Sequence, residues 1–63
     1  MNNNIRKIRN ELNITQEELA KKAKLSRYLI LKLEKGEDVN ITKNTMISIA
    51  TALEKKVTDI FFF

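Results

Sequence analysis

No cysteine and no histidine occur in this sequence of 63 residues. Disulfides, the usual Cys/His zinc sites, haem ligation through His, and catalysis by His or Cys are excluded together. Proline is absent and glycine occurs once, so the turn chemistry of a small all-β domain is missing. No apolar run approaches the roughly 20 residues of a membrane span, and no secretory signal opens the chain. No phosphate-binding Gly loop and no nucleophile–base pair is present. The expectation is a non-enzyme without cofactor, metal site, membrane association or small-molecule effector. The lack of cysteine fits the cytoplasm.

What is present is a globular composition, 43% hydrophobic and 32% charged. A chain this short reads as a single domain over 1–63, at the small end of what folds alone. About 60 residues bury only roughly 60% of the surface that the unfolded chain exposes. The net charge is +4, a weak pointer to a polyanion. It is unevenly spread. Met1 to Gly36 carries nine Lys/Arg against four acids, whereas Glu37 to Phe63 carries three Lys against four acids.

One local pattern recurs four times: an apolar residue, then Ser or Thr, then another apolar residue four positions after the hydroxyl. The instances are Ile14-Thr15…Leu19, Leu25-Ser26…Ile30, Ile41-Thr42…Met46 and Val57-Thr58…Phe62. Each is a helix start: the hydroxyl caps free N–H groups and the apolar pair staples the entering chain. Thr15 to Glu18 is a full capping box. The first helix begins after Asn3 or Asn4 without that signal, and Asn2-Asn3-Asn4 reads as a mobile end. Ile5, Ile8 and Leu12; Leu19, Ala20 and Ala23; Ile30 and Leu33; and Met46, Ile47, Ile49, Ala50 and Leu53 fit a 3.6-residue period. Gly36 suits the left-handed residue that closes a helix. The expected helices lie near 4–12, 16–23, 27–35, 43–54 and 59–62, an all-α fold.

The second and third helices are joined by about three or four residues, the spacing of a helix-turn-helix. The run Thr15-Gln16-Glu17-Glu18-Leu19-Ala20 through Ser26, Ile30, Leu33, Glu34 and Gly36 resembles the Cro/repressor-like (XRE-type) helix-turn-helix family. Met46, Ile49, Ala50, Ala52 and Leu53, with Val57 to Phe61, resemble that family's closing helices. The resemblance covers roughly Ile5 to Phe61. It implies a lambda-repressor-like five-helix bundle whose second helix crosses the DNA backbone and whose third enters the major groove.

Carried onto this chain, the resemblance makes Arg27, Tyr28 and Lys32 base-contacting, with Ser26 and Leu31 at the margins. A helical wheel independently turns Tyr28, Lys32 and Lys35 away from Ile30 and Leu33. Arg and Lys suit guanine O6 and N7, and Leu31 suits a thymine methyl. Gln16 is the first phosphate candidate, joined by Arg6, Lys35, Lys43 and Asn44. Arg9 and Glu34 are expected to form a structural ion pair between the first and third helices. The chain departs from the family at Lys24 and at Glu54-Lys55-Lys56, where Gly is usual. Glu37-Asp38 would repel phosphate.

In the terminal Ile60-Phe61-Phe62-Phe63, Ile60 and Phe61 match that family's core-closing pair, while Phe62 and Phe63 exceed what so small a domain easily buries. Ile60, Phe62 and Phe63 are therefore expected to seal a homodimer, which would present two recognition helices to a palindromic site in double-stranded DNA. The expected function is a sequence-specific transcriptional regulator, acting as a repressor and encoded by a bacterium or phage. The competing expectation is an antitoxin or adaptor that binds a toxin or other protein through Leu29, Leu31 and the Phe tail.

Overall fold

A computed structural model describes residues 2–37 and 39–62. Among them are five helices: α1 (Ile5–Glu11), α2 (Gln16–Ala23), α3 (Arg27–Glu34), α4 (Lys43–Leu53) and α5 (Val57–Ile60). α2 packs on both α3 and α4, α1 on α3, and α5 on α4. One core runs through all five: Ile5, Ile8, Leu19, Ala20, Ala23, Ile30, Leu33, Ile49, Ala50, Leu53, Ile60 and Phe61 are buried. Ala20 and Ala23 let neighbouring helices approach α2 closely. Of the expected stripes, Met46 is half-buried against this core, and two residues lie outside it. Leu12 caps α1 beyond its last turn and is exposed. Ile47 is exposed too, because at 100° per residue it falls roughly 110° from the centre of the stripe through Met46, Ile49, Ala50 and Leu53.

Three helix starts carry the expected caps. Thr15 accepts from the Glu18 N–H while Glu18 accepts from the Thr15 N–H, at 3.0 and 2.8 Å. Ser26 accepts from the Leu29 N–H at 3.1 Å, and Thr42 from the Thr45 N–H at 3.1 Å. The fourth differs. Thr58 is no cap: α5 begins at Val57 after Lys56, and Asp59 accepts the Lys56 N–H at 3.1 Å. An acid at the third position reaches back to the chain entering the helix, so the helix starts one residue earlier than the hydroxyl suggests.

The ends of the chain need a further correction. Asn2–Asn3 (β1) and Phe61–Phe62 (β2) pair antiparallel, Asn2 opposite Phe62 and Asn3 opposite Phe61. The last helix therefore stops at Ile60, and Phe61 and Phe62 are extended. The Asn run is a tie rather than a loose end. Asn3 Nδ2 donates to the Leu33 carbonyl at 2.9 Å, and Asn3 Oδ1 accepts from the Ile5 N–H at 3.1 Å. The Asn4 N–H donates to the Ile60 carbonyl at 2.8 Å. Short amide side chains serve backbone groups near helix ends in this way.

The first four helices end alike. Asn13, Lys24, Gly36 and Glu54 have φ of 57°, 58°, 75° and 57°. In each case the N–H of this residue and that of the next turn back onto carbonyls of the last turn, as with Lys24 to Lys21 and Leu25 to Ala20. This is the Schellman closure, and only Gly36 makes it without a Cβ penalty.

Candidate nucleic-acid interface

Lys24, Leu25 and Ser26 alone separate α2 from α3. Lys24 reverses the chain in the left-handed region, Leu25 packs against the core, and Ser26 caps α3. The turn is therefore sealed at both ends and fixes α3 against α2. Buried Ile30 and Leu33 define the inner side of α3.

The outer side carries the residues expected to meet bases. Tyr28 is 65% exposed, Arg27 and Lys35 are exposed, and Leu31 and Lys32 are half-exposed. The Lys32 ammonium lies 4.7 Å from the Tyr28 ring centroid, a cation–π contact that aligns the two side chains. Tyr28 raises the Lys32 pKa above its ordinary value, with a smaller push from Glu37. Ser26 is exposed at the helix start, its oxygen already accepting the Leu29 N–H.

Glu34 lies on α3 but faces inward, and its side chain is 0% exposed. Its Oε2 accepts from Arg9 Nε at 2.8 Å. Its Oε1 accepts three donors: Arg9 Nη2 at 3.1 Å, Gln16 Nε2 at 3.1 Å and Arg6 Nε at 3.2 Å. Arg9 also donates through Nη1 to the Ile14 carbonyl at 2.9 Å. One carboxylate thus joins α1, α2 and α3. Burial pushes the Glu34 pKa up, but the hydrogen bonds from Arg9, Gln16 and Arg6 outweigh it and leave the carboxyl below its ordinary value. The bond to Glu34 raises the Arg9 pKa in turn, against burial.

Two residues expected at phosphates, Gln16 and Arg6, thus sit in this cluster. Arg6 is 61% exposed and Arg9 only 12%. A shallow groove opens beside them, lined by Arg9, Asn10, Asn13, Ile14, Gln16 and Arg27 among others. It brings Arg27 of α3 next to Gln16 of α2. Sequence reasoning missed Asn10 and Asn13 here. The one signal for Asn13 is its position after a helix end, where Asn tolerates the left-handed conformation. Lys43 and Asn44 are exposed in the first turn of α4.

Of the residues expected to seal a dimer, Ile60 is wholly buried in the protomer's own core, with no surface left for a partner. Phe62 is 43% exposed, and Phe63 lies outside the described residues. Among the described residues no helix is long and apolar enough to cross a membrane.

A family model described as "Helix-turn-helix" matches residues 5–60. The chain is similar to a protein of Archaeoglobus fulgidus named an uncharacterized HTH-type transcriptional regulator. The two are 40% identical over 63 residues, all of this chain and 87% of that protein. The chain belongs to the Cro/repressor-like (XRE-type) helix-turn-helix family of DNA-binding regulators.

Proposed function

We propose that this chain regulates transcription by binding an operator in duplex DNA, with α3 in the major groove. The observation that carries this is the outer face of α3, where Arg27, Tyr28, Leu31 and Lys32 reach solvent on a helix clamped from behind by its own core. Arg27 and Lys32 are assigned to base edges, with Tyr28, Ser26 and Leu31 beside them. Gln16, Arg6, Lys35, Lys43 and Asn44 hold phosphates. The capping box takes up the Thr15 and Glu18 N–H groups. Those of Gln16 and Glu17 have no helical carbonyl one turn back and suit a phosphate oxygen. Two copies, meeting through the exposed Phe62 end, would read the half-sites of a palindrome about 34 Å apart and repress by occupying it.

Selection from random duplexes, run beside a sizing column, tests this. A palindromic consensus with a dimer mass on DNA is the expected outcome. Lys32→Ala relaxes base preference, whereas Gln16→Ala weakens all sequences alike. Failure to bind any duplex at low salt ends the proposal.

A further inference from the structure

Gln16 has a feature that a simple surface phosphate contact lacks. Its amide nitrogen already donates to the Oε1 of Glu34 at 3.1 Å, on a carboxylate sealed from solvent. A carboxylate accepts and never donates, so it can hold only the NH2 side of the amide. One amide hydrogen is then committed to Glu34. Trigonal geometry directs the other away from the carboxylate. We infer that Glu34 is a positioning residue for phosphate recognition, locking the Gln16 amide so that its second N–H is presented to a phosphate oxygen. This rests on the DNA-binding function proposed above.

Three observations support it. A free glutamine amide turns readily about its last torsion, and in half of its orientations it presents an oxygen that repels phosphate. Fixing the orientation beforehand removes that ordering cost from binding. Second, a carboxylate near a phosphate would normally oppose binding, but Glu34 is paired with both Arg6 and Arg9. Two cations against one anion leave the cluster net positive. Third, Oε1 carries three donors and Oε2 only one, so Oε1 is over-subscribed. Arg6, exposed and at the longest of the three distances, is the donor most easily released. It can swing to the same phosphate while Arg9 and Gln16 stay in place.

A binding cycle separates positioning from mere scaffolding. Affinity for a random-sequence duplex at low salt is measured for the intact chain, Gln16→Ala, Glu34→Gln and the double variant. We expect Glu34→Gln to weaken binding about five- to tenfold in the wild-type chain, and less than about twofold once Gln16 is gone. Equal losses in both backgrounds overturn the inference, since a scaffold that only orients α3 acts without Gln16. A measurement on the unmutated chain guards against a Glu34 variant that fails to fold. In the nitrogen-15 spectrum the two Gln16 side-chain hydrogens should be widely split, and duplex should shift the one not bonded to Glu34 the further. A narrow split, or a larger shift of the hydrogen bonded to Glu34, overturns the inference. Absence of any binding by the wild-type chain defeats the DNA-binding proposal itself, and the inference with it.

Discussion

Replacing Arg9 by alanine should be among the most damaging changes this domain can suffer. Arg9 is 12% exposed, supplies two of the four donors to Glu34, and holds the Ile14 carbonyl. Its loss leaves a carboxylate that is 0% exposed, served only by Gln16 and the solvent-facing Arg6. Breaking a buried pair on one side costs about 3–5 kcal/mol, and releasing the Ile14 carbonyl adds about 1 kcal/mol. A domain of this size holds about 3–9 kcal/mol in all, so Arg9→Ala should be unfolded or nearly so at room temperature. If it folds, its midpoint should fall by more than about 12 °C, at roughly 4 °C or more per kcal/mol. Thermal melts by circular dichroism measure this. The double variant Arg9→Met/Glu34→Met removes both charges and keeps the volume, so it should recover most of the loss. The pH response is a second signature. In the wild type the Glu34 carboxyl is held below its ordinary 4.5, so its contribution is complete above that value and is lost as pH falls through the folded one. In Arg9→Ala burial is less opposed, so folding favours the protonated acid and the deficit against wild type narrows on acidification. A loss below about 1 kcal/mol, the scale of an exposed pair, would refute the reasoning. So would a double variant as unstable as the single one.

Other substitutions probe other parts of the fold. Lys24→Gly should stabilise by about 0.5–1 kcal/mol, because a left-handed non-glycine costs about 1–2 kcal/mol and glycine returns part of that as unfolded-chain entropy; urea melts decide it, and no gain would mean that the turn holds no strain. Asn3→Ala removes the partner of the Ile5 N–H and one of two donors to the Leu33 carbonyl, which keeps the Gly36 N–H, a loss of about 1–2 kcal/mol visible in the same melts. Lys43→Ala should leave base preference intact and reduce the slope of log affinity against log salt by about 0.9.

Local chemistry made most of the fold legible. Thr15, Ser26 and Thr42 announce three helix starts because a hydroxyl before an apolar-periodic run has one good use, to cap it. The buried face of α3 follows from Ile30 and Leu33 alone. Legibility failed where a longer-range partner decided the conformation. Nothing near Asn2 and Asn3 indicates that Phe61 and Phe62 run alongside them, since that pairing spans nearly the whole chain. The staple spacing of Phe62 with Val57 points to a helix through Phe62, but Asp59 fixes the start of α5 and the helix ends at Ile60. The match of Ile60 and Phe61 to the family's core-closing pair points Ile60 inward, and its full burial beside half-exposed Phe62 follows that match and not its place among the dimer residues.

The scarcity of glycine has the deepest consequence. Four helices close on a left-handed residue, and three of them do it with Asn13, Lys24 and Glu54. At Lys24 and Glu54 the turn geometry is thus imposed on side chains that resist it, at about 1–2 kcal/mol each, whereas Asn13 tolerates it. Local propensity cannot supply that. The apolar residue after the turn gives part of the return, Ile14 behind Asn13 and Leu25 behind Lys24, both packed on the core. At Asn13 the turn is held further through Glu34: Arg9, while bound to it, reaches the carbonyl of Ile14 immediately after the turn. The same carboxylate therefore stabilises a left-handed helix end and holds Gln16 at the head of the next helix. That double duty explains why an acid can sit on a helix assigned to DNA: facing inward, it belongs to the frame that aims α3 and not to the face that α3 presents.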